Sequence, residues 1–168
     1  MHNKVVFRMA RSFQDAGFSV LRFNFRGTGL SEGKHDDGIG EQDDLRAAIR
    51  FMMEKYPNAL LWIAGFSFGA AVMLRAVECD EPLQGIVGAG VPFSKYDFTR
   101  ITHCKKPKLF VQGERDEFGL PEELKRRFVM FDEPKELRII SGADHFFDGH
   151  LTEFQQCISD FIARYAIE

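Results

Sequence analysis

A serine flanked by phenylalanines and fenced by glycines, Gly65-Phe66-Ser67-Phe68-Gly69, stands where an apolar run turns into small and apolar residues (LWIAGFSFGAAVML, 61–74). A serine hydroxyl becomes a nucleophile when a base takes its proton, an acid orients that base, and N–H groups receive the oxyanion that forms. Downstream, Asp116 in GERDEFG and His145 in SGADHFF supply an acid and a base in the chain order Ser, Asp, His. Together these residues can perform acyl transfer to water, and that chemistry needs no cofactor. Ser67 attacks a carbonyl, His145 takes its proton, and Asp116 fixes the imidazole tautomer. The backbone N–H of Phe68, at a helix start, is the natural first oxyanion donor. Gly65 and Gly69 are expected to remove side chains that would collide across so tight a turn. Each piece also has a bland reading. Glu114 and Glu117 flank Asp116 as alternative acids, and His145 can equally be a loop histidine packed on Phe146 and Phe147.

The elements around these residues place all three at strand ends. Val5, Val6, Met9, Phe13 and Ala16 recur at helical spacing, and Gly17 stops that helix. FSVLRFNF (18–25) reads as a strand and is followed by the turn-rich RGTGLSEGKHDDGIG. Leu45, Ala48, Ile49, Met52 and Met53 stripe a second helix that Pro57 ends. ALLWIA (59–64) is a buried strand, followed by a helix from Phe68 to about Cys79. QGIVGAG (84–90) and KLFVQG (108–113) are the next strands, a helix opens at Pro121 and runs to about Met130, and ELRIIS (136–141) is the last strand. Leu151, Phe154, Ile158, Phe161, Ile162 and Tyr165 stripe the closing helix. Strands that are nearly continuous apolar runs, alternating with helices, predict a single α/β domain (1–168) with a mostly parallel sheet covered on both faces. Ligands of such sheets bind beyond the carboxyl ends of the strands, where Ser67, Asp116 and His145 fall.

Composition narrows the function classes. The 168 residues are 45% apolar and 28% charged, the balance of a globular domain with a real core. A net charge of −3 and a pI near 6.0 argue against a nucleic-acid or anionic-membrane surface. No apolar run has the length of a membrane span, and Arg8, Arg11 and Asp15 interrupt any signal-like segment. The three cysteines, Cys79, Cys104 and Cys157, are widely spaced without a CxxC and fit reduced cytoplasmic thiols. RGTGLSEG approaches a phosphate-cradling GxGxxG, but its sixth position is Glu32 and it leads into no helix, so it is expected to be a turn bordering the site. Asp144, His145, Asp148 and His150 match no metal-ligand spacing and read as a solvated cluster near a helix start. Phe66, Phe68, Phe118 and Phe146 are candidates to line an apolar acyl site, or else to pack core and rim.

GFSFGA, FNFRGTGLSEG, GERDE and GADHFF together resemble the α/β-hydrolase superfamily, in particular the small lidless bacterial hydrolases related to dienelactone hydrolases. The resemblance runs from Asn3 to the last helix. It implies that Ser67 is the nucleophile, His145 the general base and Asp116 its orienting acid. Relatives that cut dienelactones use Cys; a Ser here points to a carboxylic ester or thioester. The segment 91–107 is too short for a lid domain, which implies a shallow, open site for a small acyl substrate. A peptidase or acyltransferase on the same fold, or a catalytically impaired scaffold that binds a ligand or partner, is the alternative.

The resemblance also implies elements at the front that the sequence does not provide. A strand and a glycine-rich turn should precede the first helix, the turn giving the second oxyanion donor, yet the chain opens MHNKVVFRMA with only His2 and Asn3 in that place. Losing one oxyanion donor costs about 2.7–4 kcal/mol of transition-state stabilisation. That strand belongs between 18–25 and 59–64, with others beyond it at the edge. Five strands are then expected, whose two halves pair directly, pair with another chain as in a homodimer, or leave open edges. The expectation is that Met1 is an internal methionine of a longer natural protein.

Overall fold

The computed structural model describes residues 3–79 and 82–166. Four strands, β1 (Leu61–Phe66), β2 (Leu83–Ala89), β3 (Lys108–Gly113) and β4 (Lys135–Ile140), pair in parallel in that order. Two helices, α1 (Lys4–Asp15) and α5 (Leu151–Tyr165), cover one face. Their Val5, Met9, Phe13, Phe154, Ile158 and Phe161 pack with Val87, Leu109 and Val111 of the sheet. The other face carries α2 (Gly40–Lys55), α3 (Phe68–Ala76) and α4 (Pro121–Phe128), which bring Leu45, Ile49, Met73, Leu74 and Leu124 against Ile63, Ile86 and Phe110. Neighbouring residues of β2 and β3 therefore feed opposite cores, which is why these strands read as unbroken apolar runs.

Local chemistry sets the helix ends. The Asn3 side chain accepts from Val5 N–H at 2.9 Å and Val6 N–H at 3.1 Å, capping α1. Gly17 follows with φ +88°, a left-handed angle that ends the helix at little cost. The apolar stripe of α1 docks on α5, with the Ser12 hydroxyl donating to both Arg8 O and Gln155 O at 3.2 Å.

Segment 18–25 departs from expectation: it runs as irregular chain with no ladder to any strand, so the sheet has four strands where five were expected. Aromatic edges hold it in place, Phe18 on Phe13 and Trp62 at 5.7 and 6.3 Å, and Phe25 on Phe68 at 5.9 Å. Between this segment and β1 lies a cavity of about 700 Å³, lined from one side by Phe18, Val20 and Phe25 and from the other by Leu61, Ile63 and Ala64. A strand needs a hydrogen-bonded neighbour, and here the nearest backbone stands across that gap. Of the three alternatives for the two halves, direct pairing is not the one seen: the sheet edge at β1 is open among the described residues. Ala64, in the middle of β1, is exposed for the same reason.

The cysteine expectation is corrected too. Cys79, just past α3, and Cys104 are joined as a disulfide with their Cα atoms 5.5 Å apart, and Cys157 is free and half-buried. The 25-residue separation gave no sign of it. What pairs them is packing of the 91–107 segment, through Phe98, Ile101 and Cys104, onto the α3 side of the core.

Leu61 N–H donates to Pro82 O and Ser67 N–H to Ala89 O, so odd-numbered β1 residues bond to β2. The amides of Trp62 and Ala64 then face the open side. In a hydrogen-exchange experiment they should exchange at least about tenfold faster than Ile63 and Gly65. Equal protection would mean that another strand occupies the gap in solution.

Candidate active site

The parallel ladder continues up to the nucleophile candidate. Ser67 N–H donates to Ala89 O at 2.9 Å, and one residue later α3 begins. Between them Ser67 takes φ +52° and ψ −120°, a left-handed conformation that costs a side-chain-bearing residue energy and persists only where its surroundings enforce it. The enforcing contact is at Gly65. A Cβ there would lie 2.7 Å from both Ala70 N and Gly69 O, so no side chain fits while the chain turns this sharply. Gly69 differs from expectation: the nearest atom to a Cβ there is Phe25 Cε2 at 3.8 Å, an ordinary contact. Its side chain would point away from the turn, so only one of the two glycines is sterically required.

Three strand ends then bring their side chains together. His145 Nε2 lies 3.0 Å from Ser67 Oγ, and His145 Nδ1 lies 2.8 Å from Asp116 Oδ2. An ionised carboxylate can only accept, so Nδ1 carries the proton and Nε2 is free to accept from the serine hydroxyl. Asp116 and His145 are buried and Ser67 is half-exposed, which leaves the serine hydroxyl as the accessible end of the hydrogen-bonded chain. Asp116 Oδ1 accepts from Phe118 N–H at 2.8 Å and Gly119 N–H at 3.0 Å. Of the three acids, Asp116 is the one that meets His145. Glu114 accepts instead from Ser141 Oγ at 2.9 Å and Gly142 N–H at 2.7 Å, and Glu117 is exposed.

The loop carrying His145 is anchored from within. Asp144 Oδ1 accepts from Phe146 and Asp148 N–H at 3.0 and 2.9 Å. Phe147 adopts φ +54° and stacks its buried ring on Phe154 of α5 at 4.6 Å. Thus Asp144 shapes the turn, and His150, at the N-cap position of α5, makes no side-chain capping bond.

A match to the family model for the alpha/beta hydrolase domain spans residues 1–159. The chain belongs to the alpha/beta hydrolases. A serine hydrolase homologue from Coxiella burnetii superposes with a TM-score of 0.89 at 35% identity, over 95% of this chain and 76% of its own. XC6422 from Xanthomonas campestris, a serine hydrolase without a lid, gives 0.89 at 36% identity, over 98% of this chain and 75% of its own. The uncharacterised protein RP471 of Rickettsia prowazekii is 34% identical over 96% of this chain and 72% of its own length.

In this hydrolase the four phenylalanine candidates separate. Phe66, Phe118 and Phe146 surround the His145 ring with centroids at 4.9, 4.8 and 5.1 Å; Phe66 is buried, and the other two are 43% and 44% exposed. Phe68 turns away, onto Phe25 at 5.9 Å and His35 at 5.1 Å. The 700 Å³ cavity lies between segment 18–25 and β1: Gly65, Phe66 and Gly69 line it, but Ser67, Asp116 and His145 do not. Of the two front residues, Asn3 is the α1 cap and His2 lies outside the described residues.

Beyond RGTGLSEG, the turn-rich loop reaches α3 through His35 and Phe68. Its supports were not foreseen. Arg26 Nη2 and Asp44 Oδ1 pair at 2.7 Å, while the wholly buried Glu41 accepts from Asp36 and Gly38 N–H at 2.9 and 2.8 Å and meets His35 Nδ1 at 2.8 Å. Burial pushes the Glu41 carboxyl up, but the N–H groups of Asp36, Glu41 and Gly38 outweigh it and leave the pKa lowered. Nothing in GIGEQDD marks Glu41 as buried, because acidic residues in a first helical turn are usually solvated. A second unforeseen residue, Gln112, donates to Asp116 Oδ2 at 2.6 Å.

These contacts separate the two glycines experimentally. Gly65→Ala should lower stability by about 1–3 kcal/mol and disable the serine, because backbone atoms must move to admit the methyl group. Gly69→Ala should fold within about 1 kcal/mol of wild type and keep its serine reactivity. Thermal melts and the initial rate of ester cleavage check both; a tolerated Gly65→Ala would contradict the steric account.

Proposed function

We propose that this hydrolase cleaves a carboxylic ester or thioester through an acyl-enzyme, with Ser67, His145 and Asp116 as its triad. The observation that carries the reading is the unbroken chain from Ser67 Oγ to His145 Nε2 and from Nδ1 to Asp116 Oδ2, at 3.0 and 2.8 Å, built on a serine held at φ +52°. Ser67 Oγ attacks the carbonyl carbon as its proton passes to His145 Nε2. The Phe68 N–H, one of the first-turn donors that a helix leaves unpaired, faces the developing oxyanion. The imidazolium, stabilised by Asp116, returns that proton to the departing alcohol or thiol. Water then gives a proton to His145 and attacks the acyl carbon, releasing the acid and regenerating Ser67.

The exposed rings of Phe118 and Phe146 beside His145 favour an apolar acyl or leaving group at an open site. Between β2 and β3, Phe93, Phe98 and Ile101 pack into the core. That supports a site without a lid, in keeping with the Xanthomonas relative. Among the described residues no helix is long and apolar enough to cross a membrane, and the Cys79–Cys104 disulfide removes the reduced thiols on which a cytoplasmic location was expected. The open edge of β1 favours a second reading, a hydrolase scaffold that binds without turnover, because among the described residues the serine hangs from a strand paired on one side only.

Hydrolysis of short-chain p-nitrophenyl esters and acyl thioesters separates the two. Ser67→Ala should lower kcat by about 10⁶-fold with unchanged melting behaviour, and Asp116→Asn by about 10⁴-fold. A folded wild-type chain that turns over no faster than Ser67→Ala would favour the binding scaffold.

A further inference from the structure

We propose that Gln112 is a positioning residue for the reaction: its side-chain amide locks the Asp116 carboxylate, and through it the His145 imidazole. The inference rests on the hydrolase reading above. Gln112 occupies the carboxyl end of β3 and is wholly buried. A buried primary amide is tolerated only when its oxygen and both N–H groups find partners, and here each one does. Oε1 accepts from Val91 N–H at 3.1 Å. A backbone N–H can only donate, so this bond fixes which way the amide points. Nε2 must then face the two acceptors beside it, Asp116 Oδ2 at 2.6 Å and Gly119 O at 2.7 Å.

The oxygen that Gln112 holds is the one that matters. Asp116 Oδ1 is held by the backbone N–H groups of Phe118 and Gly119, whereas Oδ2 is shared between His145 Nδ1 and Gln112 Nε2. Of the two, Gln112 does not move in the reaction, so it sets where Oδ2 stands when His145 takes and returns its proton. A short bond from a neutral donor to a carboxylate is strong and directional. The same amide ties down what lies beneath the imidazole. Val91 follows Gly90, whose φ is +56° and where a Cβ would lie 3.0 Å from His145 Cε1. Gly119 is equally confined, a Cβ there coming within 2.6 Å of Gln112 Nε2 and of Val91 O. One side chain thus joins the Asp116 loop to the backbone on which the His145 ring rests.

A structural duty alone, satisfying Val91 N–H and Gly119 O, predicts lower stability with an unchanged rate per folded molecule. Positioning predicts a rate effect routed through Asp116. Gln112→Met keeps the length and removes every hydrogen bond. Measured on the folded fraction with a p-nitrophenyl ester, it should lower kcat by about 10- to 100-fold and leave KM within about twofold. In an Asp116→Asn background the same substitution should cost less than about threefold, because the carboxylate it acts through is gone. Equal losses in both backgrounds, or a wild-type kcat in Gln112→Met, overturn the proposal. Should Gln112→Met not fold, the wild-type protein carries the test by NMR. The Gln112 side-chain amide protons should resist exchange with water, and one should shift in Asp116→Asn; protons that exchange as freely as those of surface glutamines overturn it. Wild-type protein without Ser67-dependent turnover would instead overturn the hydrolase reading itself.

Discussion

The approach of Gly65 to the backbone of Gly69 and Ala70 is the contact on which the rest depends. Strand and helix meet so closely there that the residue between them must adopt a left-handed backbone, and that residue is Ser67. The conformation lifts the hydroxyl clear of the sheet end and aims the first N–H groups of α3 at the same space. The site's other features serve to meet this hydroxyl. Parallel pairing puts the ends of β1, β3 and β4 on one rim, so residues 78 and 29 positions apart come within hydrogen-bonding distance.

Holding that rim in register falls to side chains that do no chemistry. Phe147 seats the His145 loop on α5, Asp144 ties its turn, and backbone N–H groups pin Asp116 from one side. Each is a local constraint paid for by burial elsewhere: the two cores on either face of the sheet supply the rigidity that lets Ser67 and Phe147 keep unfavourable angles. The weaker side is β1. Its outer edge meets a cavity instead of a strand, so the serine is supported by β2, α3 and aromatic contacts from segment 18–25.

Most of the architecture was legible because apolar runs and helical stripes are direct consequences of burial on two faces. The order of Ser67, Asp116 and His145 at strand ends was legible for the same reason. Where sequence reasoning failed, the deciding quantity was a partner. FSVLRFNF has the composition of a strand, but composition does not say whether another backbone lies alongside. Gly65 and Gly69 look equivalent in a pentapeptide, and only the direction of each Cβ distinguishes them. Cys79 and Cys104 meet because a long connection folds back onto α3, and Glu41 is buried because the turn before it wraps its carboxylate. Gln112 did leave a signal: it is a polar residue next to the glycine that ends an otherwise apolar strand segment, LFVQG.

On the proposed mechanism the folded chain activates Ser67. The most direct measurement is intact-mass detection of labelling by a fluorophosphonate, which reacts with a serine only when a base and an oxyanion site are assembled around it. A single adduct on the wild-type chain and none on Ser67→Ala is the expected result. A wild-type chain that is folded by circular dichroism yet takes up no adduct, or that labels equally after Ser67→Ala, would contradict it.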